Sequence, residues 1–381
     1  MKILIAKAFA KIMLDGVLAR ELKHRGHDVQ LLLPQRGPDC DEIERLGIPI
    51  LINPVIQMRY LRRTSLFEDL IWFIRLVSLL RREKYDVINL HLPAARLFGR
   101  LAARLVPPTR IVSVMHGLES HHERWSNRFD HATVCVSQAV HDNLVAYGLP
   151  SDKLKIIPNG IDLNRIDAIP VDRHYLHREL GLEAHMRLIG MIAYFYEQRD
   201  SVDKGHGLFI DAAGILSKRY PDLRFLIIGN DRLVQGREDF FKEYARQKGL
   251  GNKIFFLGER DDIFPILDSL TVHVFPSFKE GFGMVLLEAM ARGTINIASD
   301  LPCVREIITD LQHGLLFEPG QTDQMIEKIS RVLDAPQWAD ILARQARQRV
   351  QQAFMSDRMG DRYERLFKNL FICNVDMEKP G

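Results

Sequence analysis

Short runs of apolar and β-branched residues alternate along the chain with longer stretches whose apolar positions recur every three or four residues. In the first half the runs are KILIA (2–6), DVQLLL (28–33), IPILI (48–52), DVINL (86–90), RIVSVM (110–115) and ATVCVS (132–137). They are continuous rather than alternating, which predicts strands buried on both faces. Helical stretches between them predict a parallel sheet. The pattern restarts with RLIGMIAY (187–194), LRFLIIG (223–229), KIFFLG (253–258), VHVFPS (272–277), INIAS (295–299) and GLLF (314–317). Between 160 and 186 the periodicity lapses, as in GIDLNRIDAIPVDRHYLHRE, and this predicts a linker. The expectation is an α/β chain of two doubly wound, Rossmann-like domains, 1–165 and 186–350. Residues 351–381 would form a C-terminal helix packing back on the first domain. Open α/β sheets bind ligands beyond the carboxyl ends of their strands. Two such domains facing an interdomain cleft suggest a two-substrate enzyme.

Composition narrows this picture only slightly. The 381 residues exceed one comfortable core. A net charge of +3 does not suggest a nucleic-acid binder. The four cysteines, 40, 135, 303 and 373, lie far apart and form no CxxC pair. A disulfide framework or zinc site is not expected, and a reducing cytosol fits best. The opening MKILIAKAFAKIML reads as a first strand rather than a signal peptide. No uncharged apolar run is long enough to span a bilayer.

The chemistry concentrates in residues 277–293, SFKEGFGMVLLEAMARG. VHVFPS ends a strand, FKEGFG is a glycine turn, and Phe282, Val285, Leu286, Ala289 and Met290 define one helix face. The helix start leaves N–H groups at Gly283, Met284 and Val285 free to attract a phosphate. The glycines allow a phosphate or sugar to approach the backbone. Glu288 lies off the apolar stripe, and its carboxylate can accept two hydrogen bonds, which suits vicinal ribose hydroxyls. Glu280, in the turn, can accept from sugar hydroxyls. Taken singly, each is equally an ordinary turn or solvated helix residue.

EGFGMVLLE resembles the E-x7-E motif of retaining glycosyltransferases of family GT4, which have the GT-B fold. IFFLGERDDIFPIL (254–267), REIITDLQHGLLFEPG (305–320) and VSQAVHDNLVAYGLPSDKLKIIPNGID (136–162) carry the likeness over nearly the whole chain. The resemblance implies that Glu288 binds the nucleotide ribose, while Glu280, Gly281, Phe282, Gly283 and Met284 line the donor-sugar and diphosphate site. It implies a role for Lys204, of Lys204-Gly205, on the leaving diphosphate, whose developing charge must be stabilised. The arginine usual in such enzymes falls on Tyr194 here. Arg199 either folds back to replace it or is an exposed loop residue. One glycine of the usual Gly-Gly loop after the first strand survives, as Gly16 of Asp15-Gly16.

His116 follows strand RIVSVM, at the end of a parallel strand where ligands bind. It resembles the active-site histidine of these enzymes, near the donor sugar and the attacking acceptor. His91 is a second candidate, and His121 and His122 are expected to be solvated or acceptor-side. No acid and nucleophile pair of the glycosidase kind is evident. Asp39-Cys40-Asp41 is the only D-x-D, lies in a turn-rich loop, and no required metal or cofactor is expected.

Residues 59–110 hold eleven Lys/Arg against four Asp/Glu, around LFEDLIWFIRLVSLL (66–80). A basic amphipathic helix of this kind fits an anionic membrane surface. It equally fits a buried domain helix with basic ends. The sequence therefore reads as a cytoplasmic glycosyltransferase, peripheral on the inner face of the membrane if the first reading holds. The donor is a nucleotide-diphosphate sugar, UDP-linked by preference. The acceptor is a hydroxyl on a carbohydrate or a lipid-linked glycan, as in lipopolysaccharide, polysaccharide or glycolipid biosynthesis. The alternatives are a GT-B nucleotide-sugar epimerase, needing no acceptor, or a catalytically silent nucleotide-sugar-binding subunit.

Overall fold

The computed structural model describes residues 1–372 apart from 8–13, 38, 57–65, 107–108, 119–126, 196–203 and 232–234. The chain divides into two compact units, Met1–Asp162 with Phe354–Gly381, and Leu163–Ala353.

The first unit holds strands β1 (Lys2–Lys7), β2 (Asp28–Leu33), β3 (Ile50–Ile52), β4 (Val87–His91), β5 (Arg110–Met115), β6 (Ala132–Cys135) and β7 (Leu154–Ile156). Its helices are α1 (Leu14–His24), α2 (Cys40–Arg45), α3 (Leu66–Glu83), α4 (Pro93–Arg104), α5 (Gln138–Ala146) and the returning α15 (Ser356–Ile372). The strands pair in parallel, in the order β3-β2-β1-β4-β5-β6-β7. The direction of winding reverses between β1 and β4, and that is where a doubly wound sheet opens a crevice. α15 is tied to α1 by polar groups. Arg25 donates to the Asp361 carboxylate at 2.8 Å and the Asp357 carbonyl at 2.7 Å, and Ser356 Oγ donates to Glu21 at 2.6 Å.

The second unit repeats the plan. Its strands are β8 (Arg187–Ile192), β9 (Leu223–Ile228), β10 (Ile254–Phe256), β11 (Val272–Phe275), β12 (Ile295–Ser299) and β13 (Leu315–Phe317). They lie in the order β10-β9-β8-β11-β12-β13, so its reversal falls between β8 and β11. The helices are α6 (Leu163–Asp167), α7 (Tyr175–Leu180), α8 (His206–Arg219), α9 (Arg237–Gln247), α10 (Ile263–Ser269), α11 (Met284–Arg292), α12 (Pro302–Ile307), α13 (Thr322–Asp334) and α14 (Pro336–Ala353). α6 and α7 occupy the stretch where a linker was expected. They bury Leu163, Ile166 and Leu176 within the second unit. The segment is also fixed by hydrogen bonds: Arg292 donates to the carbonyls of Ile166 at 2.8 Å and Ile169 at 3.0 Å, and pairs with buried Asp268. Such polar fixing leaves little trace in the apolar pattern.

Candidate active site

The glycine turn of the second unit follows β11, beside the reversal of its sheet. Gly283 has φ +98° and caps α11, a conformation that an L side chain adopts only with strain. α11 then runs from Met284, so Phe282 precedes the helix rather than belonging to its face. Phe282 is nevertheless buried, as are Leu286, Leu287, Ala289 and Met290. They anchor the helix start against the sheet. Glu288 lies in the middle of α11 and is half-buried.

Lys204 and Gly205 close the loop after β8 and meet this turn. Lys204 Nζ is 2.5 Å from Glu280 Oε2. The Gly281 N–H donates to Glu280 Oε1 at 3.3 Å, and Cys303 Sγ donates to the Glu280 carbonyl at 3.3 Å. Gly205 has φ +75°, and a Cβ there would stand 2.2 Å from the Pro276 carbonyl oxygen. Only glycine lets the Lys204 loop lie this close to the end of β11. The turn thus gathers a cation, a carboxylate and the start of a helix, all partly open to solvent. That set suits an anionic ligand carrying hydroxyl groups. Tyr194, at the position usual for arginine in the resembling enzymes, is 39% exposed and its hydroxyl is 3.1 Å from Glu259 Oε1. Arg199, His121 and His122 lie outside the described residues.

The first unit gathers a different set at its own reversal. Lys7 ends β1 and His91 ends β4, paired in register. His116 follows β5, and Asp15 lies in the first turn of α1. Gly16 is therefore inside a helix, not in a loop as the sequence suggested, and it is buried there. His91 Nδ1 is 2.8 Å from Asp15 Oδ1 and 2.9 Å from His116 Nε2. The Lys7 ammonium lies against Asp15 Oδ2. Asp15 and His91 are each 2% exposed. The ring centroids are 5.1 Å apart with the planes inclined by 29°, so the two imidazoles meet edge to edge through His91 Nδ1 and His116 Nε2. Just beyond His91, Leu92 has φ +70° and ψ 155°, where a non-glycine residue is strained by about 1–3 kcal/mol. It turns the chain from β4 into α4, which begins at Pro93.

Charge is unevenly settled here. Burial pushes the Asp15 carboxyl up, but Lys7, His91 and His116 more than offset it and hold it well below the usual range. Burial pushes His116 down to about 3, helped by His91, Lys7 and Arg96 and opposed by Asp15. At neutral pH the first is a carboxylate and the second a neutral imidazole.

Sequence reasoning singles out His116 and, second, His91, but not Lys7 or Asp15, which the fold brings to them. The available signal was positional: Lys7 ends the first strand of a doubly wound sheet, next to the strand that ends in His91. Asp39 and Asp41 flank the start of α2, where Asp41 pairs with Arg36 at 2.8 Å.

Residues 191–349 match the family model for Glycosyl transferases group 1, and residues 17–165 that for Glycosyltransferase Family 4. The chain is 24% identical to the UDP-Gal:alpha-D-GlcNAc-diphosphoundecaprenol alpha-1,3-galactosyltransferase of Escherichia coli, over 97% of this chain and 98% of that one. It is also 24% identical to the N,N'-diacetylbacillosaminyl-diphospho-undecaprenol alpha-1,3-N-acetylgalactosaminyltransferase of Campylobacter jejuni, over 93% and 95%. The crystal structure of Anabaena HepE in complex with UDP-glucose superposes with a TM-score of 0.81 at 22% identity, covering 97% of this chain and all (100%) of that one. Sucrose-phosphate synthase of Thermosynechococcus elongatus gives 0.80 at 19%, over 98% and 99%. The two sheets, each parallel and wound on both faces, have the GT-B architecture of these structures.

Proposed function

Because the chain belongs to the group 1, family 4 glycosyltransferases, we propose that it moves a sugar, with retention, from a UDP-linked donor to a hydroxyl of a lipid-linked glycan. The observation that carries the donor half is the glycine turn after β11, where Lys204, Glu280 and the start of α11 converge. Lys204 and the N–H groups of Gly283 and Met284 receive the diphosphate, and Lys204 stabilises its charge as the sugar leaves. Glu280 and the backbone of Gly281 and Phe282 receive the sugar. Glu288 holds the ribose hydroxyls. On this reading the diphosphate takes Lys204 from Glu280, which frees the carboxylate to accept from the sugar. Arg199 supplies charge in place of the arginine absent at Tyr194. No metal or cofactor is required. His116 stands near the reacting centre.

The lipid-linked acceptor is supported by the two relatives named for diphosphoundecaprenol substrates, and by the surface of the first unit. On the outer face of α3, Phe67, Leu70 and Ile74 are 71%, 55% and 57% exposed, while Leu76 and Leu80 of the same helix enter the core. Leu97, Leu101 and Leu105 are similarly exposed along and just beyond α4. Ile74, Arg81 and Leu105 line one shallow groove, so the two stripes meet. Exposed Arg75, Arg81, Arg82 and Arg104 border them. Two of the basic residues counted from sequence do not contribute. Arg100 is buried against Asp130 at 2.7 Å, and Arg96 is buried and donates to the Val114 carbonyl at 2.9 Å. The remaining cations and the apolar stripes fit an anionic bilayer. Among the described residues no helix is long and apolar enough to cross one. The protein would work peripherally, on the cytoplasmic face.

The test is a metal-free assay with UDP-sugars and a diphospholipid-linked sugar acceptor in anionic vesicles, with the product anomer read by NMR. An α-linked product from an α-linked donor supports the reading. Donor epimerised without acceptor supports the alternative of a nucleotide-sugar epimerase. Donor binding without turnover supports a silent binding subunit.

A further inference from the structure

His91 stands between Asp15 and His116, and one ring nitrogen serves both contacts: Nδ1 lies 2.8 Å from Asp15 Oδ1 and 2.9 Å from His116 Nε2. Two independent observations fix its hydrogen. First, Asp15 is a carboxylate with Lys7 against its other oxygen. A lone pair on His91 Nδ1 would face that negative charge, so Nδ1 carries the hydrogen. Second, His91 Nε2 is buried with no hydrogen-bond partner among the described residues. A hydrogen stranded there would be an unpaired buried donor, which is rarer and costlier than an unpaired acceptor. Both observations select the same tautomer. His116 Nε2 then faces an N–H and accepts from it, so neutral His116 carries its own hydrogen on Nδ1.

We propose that Lys7, Asp15 and His91 form a positioning chain that holds the hydrogen of neutral His116 on Nδ1, making it a hydrogen-bond donor to the reacting groups and not a base. The chain rests on the proposed transfer only for the group His116 addresses. In that transfer the bond from the acceptor oxygen to the anomeric carbon forms and the bond from that carbon to the diphosphate breaks. The hydroxyl proton passes to the departing diphosphate oxygen, and His116 neither gains nor loses one.

Among the described residues, the charged and titratable groups acting on His116 are Lys7 of β1, Asp15 of α1, His91 of β4 and Arg96 of α4. Tyr363 of α15 is buried beside Asp15. The same three side chains, Asp15, His91 and His116, are spaced so that they could also ligate a metal ion. Lys7 argues for the hydrogen-bonded chain, because a cation already holds the carboxylate that the metal would need.

The test is histidine-ring 1H–15N correlation NMR on the 15N-labelled full chain between pH 6 and 8, assigned with His91→Gln and His116→Gln. The expected spectrum shows both rings neutral and protonated on Nδ1. Asp15→Asn, whose amide can donate to His91, is expected to move the His91 hydrogen to Nε2 and to lower kcat about tenfold to a hundredfold, with the donor KM unchanged. The wild-type kcat is expected to show no step assignable to His116 between pH 5.5 and 8. An imidazolium or an Nε2–H tautomer at His116 overturns the proposal. So does a metal-displaced signal that a chelator restores, or a wild-type kcat in folded Asp15→Asn. If Asp15→Asn does not fold, the wild-type spectrum decides alone. It needs no substrate, so a failure of the transfer assay leaves it standing.

Discussion

In the first unit, the polar groups at the sheet reversal hold one another: Lys7 by Asp15, Asp15 by His91, His91 by His116, with Asp15 and His91 nearly without solvent exposure. At the equivalent reversal of the second unit, Lys204 and Glu280 hold each other with side chains 17% and 20% exposed, beside a glycine turn and a helix start. The strand plan is the same. The difference teaches that a doubly wound sheet fixes where a site forms but not how its charge is used. A closed network sets the state of one histidine. An open pair can be exchanged for a ligand's own charges.

The largest expected effect tests the open pair. Lys204→Ala should lower the transfer rate about a hundredfold to a thousandfold, the scale of removing one group that stabilises transition-state charge. The melting temperature should barely move, because a partly exposed ion pair contributes little. A UDP-release assay and a thermal melt check this together. A large loss of stability would mean that the pair is structural.

Gly205→Ala comes next and separates backbone from charge. The added Cβ would stand 2.2 Å from the Pro276 carbonyl at a φ of +75°, so the loop must shift. A destabilisation of about 2–3 kcal/mol is expected by urea denaturation, with donor binding weakened in the protein that remains folded.

The smallest effect concerns acid. Buried His273 donates from Nδ1 to Asn296 Oδ1 at 2.7 Å, and burial holds its pKa down to about 4, with that hydrogen bond opposing. Between about 6.5 and 4 the unfolded chain binds a proton here that the folded one does not, so this contribution to stability falls as pH falls through that window. His116, pushed to about 3, extends the same decline further. His273→Leu should flatten the slope of stability against pH between 6.5 and 4, measured by denaturant unfolding at several pH values.

Much of this was legible in the sequence because burial on both faces writes itself as continuous apolar runs. DVQLLL and RIVSVM are strands β2 and β5 residue for residue, and INIAS is β12. β7, only Leu154–Ile156, is too short to stand out from its loop. The helices in 163–180 are fixed largely by Arg292 and a few buried side chains, which periodicity does not register. In the site, the E-x7-E spacing announced the turn and α11. The partnership of Lys204 with Glu280, 76 positions apart in the chain, needed the parallel order of β8 and β11. Asp15 looked like a loop residue because its only sequence signal was the neighbouring glycine. It is instead a buried helix residue aimed at two histidines.

The central claim is a division of labour: the second unit's turn holds the nucleotide, and the first unit's buried chain acts on chemistry alone. Calorimetry of UDP binding without metal tests this most directly, on wild type, Glu288→Ala, Asp15→Asn and His116→Ala. The account predicts affinity about tenfold to a hundredfold weaker in Glu288→Ala, the scale of hydrogen bonds to a charged group, and unchanged in the other two. Unchanged affinity in Glu288→Ala, or an equal loss in Asp15→Asn and His116→Ala, would contradict it.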